Sequence, residues 1–330
     1  MFRLLVFLVL YPFLVSAQWE EMAIPSKASF RSLSVPTSRV IWAGGSGNTI
    51  LKSINGGEAW ESFSVFPEQK LDFTGIYAFD HQNALAVSAG LAEEGSAVIV
   101  RTSDGGTHWE KVFETNQIGV FLDGIHFINK KVGFVIGDPQ DGKVYMLKTI
   151  DGGYSWSKVS ASQFPEVYKT EASFAASNSS LSSYKKNIWY AFQSRILFSS
   201  NAGKTWMLLD SHFPSDDTNG IFGLNFRSKT EGILLGGDYV NDKASQVNVG
   251  LTHNGGQTWE FMSVIPDGLK ESAVWVDHKW LIVGTTGSGF LTPDGNMTTL
   301  GTKALHVVKC NSGMCYAIGP KGHFVRMALK

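Results

Sequence analysis

Thr102-Ser103-Asp104-Gly105-Gly106-Thr107-His108-Trp109 is one copy of a pattern that runs through the chain as Ser/Thr-x-Asp/Asn-Gly-x-x-x-Trp. It begins at Ser53 with Asn55, Gly56 and Trp60, and returns at Thr149 with Asp151, Gly152 and Trp156. A copy at Ser199 keeps Asn201 and Trp206 but has Ala202 for the first Gly, and another at Thr252 carries Asn254, Gly255 and Trp259. Thr292-Pro293-Asp294-Gly295 is a worn copy without the Trp. Asp-Gly and Asn-Gly suit a tight hairpin, because Gly takes positive φ at little cost and the short side chain bonds nearby amides. The hydroxyl closes the same turn, and the Trp opens the next strand with a large apolar face. These Asp and Asn residues therefore read as turn-forming rather than catalytic.

The Trp positions are spaced by 49, 47, 50 and 53 residues, the pitch of one four-stranded propeller blade with its loops. Between boxes, segments such as DFTGIYAF, ALAVSA and AVIVRT alternate and are rich in β-branched and aromatic residues. Residues 303–328 supply only three strands, ALHVVK, CYAIG and HFVRMAL, whereas Gln18-Trp19-Glu20-Glu21-Met22 resembles the strand that follows a box. The N-terminal strand is thus expected to complete the last blade and close the ring, leaving no free sheet edge. The expectation is an all-β, seven-bladed propeller over residues 18–330, with most of 161–186 an insertion within blade four.

Composition agrees: 35 Gly, 12% aromatic and only 17% charged residues fit many short strands and tight turns. A net charge of −1 without a basic block argues against nucleic acid as a partner. Residues 1–17 read as a secretory signal, with Arg3, an apolar run and Val15-Ser16-Ala17 at the cut. No later segment is apolar and long enough to span a bilayer. A secreted or periplasmic monomer is the expectation. Cys310 and Cys315 flank Asn-Ser-Gly turn chemistry, and after export they are expected to bond across a hairpin; two separately buried thiols is the other reading.

The box resembles the Asp-box (BNR) motif of sialidase-like propellers. SFRSLSV, FLDGIHF, GDPQDGK, EASFAAS and GGDYVND, in that order between the boxes, resemble secreted proteins of the photosystem II stability/assembly-factor-like group, many of them labelled oxidoreductases or glycosyl hydrolases. The resemblance implies a seven-bladed propeller acting as a binding or assembly scaffold for a protein, peptide or glycan at the channel mouth. Fold does not fix function. Related sequences tend to carry inner-strand arginines where this chain has Thr74 and Glu271.

Polar residues near the starts of the inner strands are Arg31, Asp72, Asp123, Glu171, Asn219, Glu271 and His306. Coming from seven repeats, they form a candidate ligand ring at the channel mouth. Asp123 and Glu171 are the weak catalytic candidates, as a carboxylate pair for glycoside hydrolysis. A sialidase clamp would need three convergent arginines, but Arg101, Arg195 and Arg326 fall on third strands, too far out to converge readily. Asp138, Asp141, Asp238 and Asp242 are oxygen donors of the kind Ca²⁺ takes, though Asp before Pro or Tyr more often caps a turn. No cofactor is expected: there is no dinucleotide fingerprint, and the His residues lack zinc spacing. Asn178-Ser-Ser180 and Asn296-Met-Thr298 are sequons.

Overall fold

Strands here are held by local turn chemistry first. At the first copy of the repeated turn, the Ser53 hydroxyl accepts from Gly57 N (2.9 Å) and Asn55 Oδ1 accepts from Ala59 N (2.9 Å). The same pair of bonds recurs at Thr102 and Asp104, at Ser199 and Asn201, and at Thr252 and Asn254. At Ser199 the turn survives the loss of its first Gly because Ala202 adopts the left-handed conformation (φ 62°), one that costs a residue with a Cβ about 1–2 kcal/mol. Asp294 departs from the pattern: its carboxylate accepts from the Asn296 side-chain amide rather than from a backbone N–H four residues on.

The computed structural model describes residues 18–168, 171–173, 178–243 and 247–329; the expected signal segment lies outside them. Among the described residues the strands form seven four-stranded antiparallel sheets. Their inner strands are Phe30–Ser34, Asp72–Ala78, Leu122–Phe127, Leu181–Tyr184, Asn219–Phe226, Lys270–Val276 and Val307–Asn311. The seventh sheet is completed by Glu20–Met22, which pairs antiparallel with Phe324–Ala328, Glu21 opposite Val325. Trp19 Nε1 donates to Ser288 Oγ of blade six (2.8 Å), fastening that closing strand to its neighbour. The expected seven-bladed ring closed by its N-terminal strand is the observed one.

The core is the set of seams between blades. Trp42, Phe73 and Val100 fill the seam of blades one and two; Leu33, Ile41, Tyr316 and Phe324 fill that of blades seven and one. Trp189 stacks on Phe226 across blades four and five, with centroids 3.7 Å apart. Cys310 and Cys315 are cross-strand partners joined by a disulfide. Their hairpin turns through Ser312 (φ 46°) and Gly313 (φ 80°), the two positive φ values of a type I′ turn. No helix among the described residues is long and apolar enough to cross a membrane.

Blade four corrects one expectation. The long segment is not an insertion within the blade: it precedes the inner strand Leu181–Tyr184, and Glu171 lies in it rather than on a strand. Its last residues enter the central channel. Asn178 N donates to Arg31 O of blade one (3.2 Å). Its side-chain amide donates to Ile76 O of blade two (3.2 Å), and its Oδ1 accepts from Ile125 N of blade three (2.9 Å). Ser179 O accepts from Leu224 N of blade five (3.0 Å), and Ser179 Oγ donates to Ser272 Oγ of blade six (2.9 Å). Ser272 Oγ in turn accepts from Val308 N of blade seven (3.3 Å). Residues 178–180 therefore plug the channel. Gly223 allows the close approach, since a Cβ there would clash with Glu271 O and crowd Ser179.

Candidate functional site

Inner strands all run the same way, so their starts define one face, here the upper mouth, and their ends the lower mouth. Loops joining second to third strands, and fourth strands to the next blade, lie on the upper face; the repeated turns lie on the lower face.

The seven candidate residues do not form one ring at the upper mouth. Arg31 and Asp72 share a cavity of about 470 Å³ between blades one and two, with Ser46, Thr74 and Phe121 in its wall. Asp72 Oδ1 there accepts from Gly47 N (2.8 Å). Glu171 is buried and held by Arg195, whose Nε donates to Oε1 (2.5 Å) and whose Nη2 donates to Oε2. Arg195 stands at the upper end of its third strand, Arg195–Ser199, and reaches inward to the loop, while Arg101 bonds Thr102 O and Arg326 bonds Glu20, so the three arginines have separate partners. Glu171 also accepts from Tyr168 N (2.8 Å), and the Arg195 guanidinium lies 4.2 Å from the Tyr168 ring. This bidentate pair ties the plug-bearing segment to blade four.

Glu271 and His306 form a second buried pair, Oε2 to Nδ1 2.6 Å. Beside it, Lys270 is fully buried and donates to Pro266 O, Gly268 O and Thr286 Oγ1; burial lowers its pKa to about 8. Asn219 opens its inner strand, its N–H on Asp216 Oδ1 (2.8 Å) of the preceding turn.

Asp123 is 1% exposed, and among the described residues neither carboxylate oxygen has a hydrogen-bond partner in bonding geometry. Burial, then the nearby charge of Asp138, pushes its pKa well above the carboxylate range, the Ser173 hydroxyl offsetting part of the shift. Burial also raises Asp138 to about 6, against the pull of Ser173 N on its Oδ1 (2.7 Å). The Ser173 hydroxyl bonds Tyr190, whose pKa is raised first by burial and then by Asp123. Asp123 and Glu171, the expected carboxylate pair, thus stand in different settings, one enclosed and protonation-prone, the other in an ion pair.

The four aspartates considered for Ca²⁺ are split between blades three and five. Asp238 Oδ1 caps its own turn at Val240 N and Asn241 N, and Asp141 occupies a hairpin tip. Among the described residues, no three His, Cys, Asp or Glu side chains gather in a metal-binding group.

What the sequence did not reveal is the apolar decoration of the upper face. Of ten exposed large apolar side chains among the described residues, six stand on upper-face loops: Leu91, Ile118, Tyr168, Tyr239, Val240 and Ile265. Loops carry no periodicity to announce such residues; only their common face does.

No known family profile matches the chain, and no curated protein matches it in sequence. Solved structures do match in fold. "YCF48 bound to D1 peptide" superposes with a TM-score of 0.70 at 13% identity, covering 97% of each chain. YCF48 from Cyanidioschyzon merolae gives 0.63 at 14% identity, covering 95% of this chain and 99% of that one. Virginiamycin B lyase from Staphylococcus aureus gives 0.68 at 10% identity, covering 96% and 100%. The chain is a seven-bladed β-propeller. At these identities the likeness is one of fold, and the same fold serves a peptide-bound protein and a lyase.

Proposed function

We propose that the protein is a non-catalytic extracytoplasmic scaffold of the photosystem II assembly-factor-like, Asp-box type, holding a segment of another protein across its upper face. The observation that carries this reading is that six of the ten exposed large apolar side chains among the described residues stand on one face. Exposed apolar groups gathered on a face mark interaction surfaces more often than catalytic ones. The plugged channel leaves that face as a shallow surface with side cavities, among them that at Arg31 and Asp72, suited to an extended or looped chain. A protein of this fold solved with a peptide, YCF48 with D1 peptide, lends support. Residues 1–17 and the Cys310–Cys315 disulfide support an oxidising compartment.

The glycoside hydrolase reading asks for two carboxylates facing substrate. Glu171 is neutralised by Arg195 and Asp123 is enclosed, which weighs against it. Immobilised peptides tiling extracytoplasmic proteins test the choice. Wild-type protein is expected to be retained by a subset of peptides, and the double variant Ile118→Glu/Val240→Glu to lose about tenfold in affinity, the effect of two lost apolar anchors. Equal retention of both proteins, or sugar release abolished by Glu171→Gln with the fold intact, would overturn the proposal.

A further inference from the structure

The lower mouth holds a separate cavity of about 220 Å³, roofed by Asn178 of the plug and closed above by it. Val35, Pro36 and Tyr77 are its partly exposed apolar residues; Ser34, His126 and Lys309 are its polar groups. Lys309 is half-buried and its ammonium makes no hydrogen bond or ion pair among the described residues. Burial lowers its pKa. Burial, and then the Lys309 charge, brings His126 down to about 4, so the ring is neutral at pH 7, its Nε2 2.7 Å from Ser183 Oγ. Ser34 Oγ accepts from Ala78 N (2.9 Å), which leaves its hydroxyl proton to donate. An ammonium taken partly out of water without a counter-charge is costly, and an anion entering beside it removes that cost.

We propose that this lower cavity binds a compact monoanion, a carboxylate carrying a short apolar group, with the carboxylate on Lys309 and Ser34 and the apolar part against Val35, Pro36 and Tyr77. The volume limits the occupant to a few heavy atoms, below the usual size of drug-like pockets. The single ammonium matches a single negative charge. The same chemistry has two sources, a free short-chain acid or the terminal carboxylate of a peptide ending in a small apolar residue. The site lies on the face opposite the proposed protein-binding surface and does not depend on it.

The test uses the full chain with sodium butyrate, butyramide and sodium chloride at matched ionic strength. Butyrate is expected to raise the unfolding temperature progressively with concentration, as any native-state ligand does, whereas butyramide and chloride are not. Lys309→Met is expected to fold and to lose the butyrate response. In the wild-type protein, butyrate is expected to move the His126 ring signals and raise their titration midpoint, since an added anion favours the imidazolium. Equal shifts with butyramide, a full butyrate response in Lys309→Met, or unmoved His126 signals would each overturn the proposal. A peptide ending in valine carboxylate, compared with its amide, assigns the source: binding at least tenfold tighter than butyrate supports a chain terminus, weaker binding a free acid.

Discussion

Asp138 and His126 pull the stability of this protein in opposite directions with pH. Asp138 has a folded pKa of about 6 against an ordinary 3.8, so the native state holds the extra proton between those values. Its contribution is complete below about pH 4 and is lost as pH rises through about 6. His126, lowered from 6.5 to about 4, contributes fully above 6.5, and that contribution is lost as pH falls through 4. The two slopes oppose each other in the wild-type protein, so the informative comparison is with a variant. Asp138→Asn keeps the oxygen that accepts from Ser173 N and removes the titration. It is expected to gain about 3 kcal/mol at pH 7, from about 1.4 kcal/mol per pKa unit, and nothing at pH 4. Urea unfolding at pH 4, 5, 6 and 7 measures this; an equal effect at every pH contradicts the assignment.

At the scale of elements, the plug is what distinguishes this ring from a stack of blades around open space. Asn178 satisfies Ile125 N and Ile76 O in the channel, and each buried group left without a partner costs about 1–3 kcal/mol. Asn178→Ala is therefore expected to lower stability by about 2–4 kcal/mol, read by chemical denaturation; a loss below about 0.5 kcal/mol would show that the plug does not bear on the fold. In the sequence Asn178 stands out only as a sequon. Its role is invisible there because its partners, Arg31, Ile76 and Ile125, belong to three blades and no local pattern links them. The repeated turns are the opposite case. Ser53, Asn55 and Gly57 bond within four residues, so their chemistry is complete in the sequence, and even the Ala202 copy is recognisable.

Over the whole molecule, blade number and ring closure were legible because they follow from repeat pitch and from the strand missing at one end and present at the other. The disulfide followed from turn residues between the two cysteines. The site was legible only in part. Arg31 and Asp72 do share a cavity, but the pairing of Glu171 with Arg195 and of Glu271 with His306 depends on how loops fold over blades, which composition and spacing do not encode. Without those pairings the sequence offered a ring of ligand-binding carboxylates. With them, two of the four carboxylates, Glu171 and Glu271, are already matched inside the protein, and the exposed apolar loops become the surface to explain. Photo-crosslinking addresses that surface directly. A photoreactive amino acid placed singly at Ile118 or Val240 on the upper face, and at Ile54 or Ile150 on the lower, is activated in intact cells. The account predicts one protein adduct common to the Ile118 and Val240 positions and absent from Ile54 and Ile150; no adduct from the upper positions, or the same adduct from both faces, would contradict it.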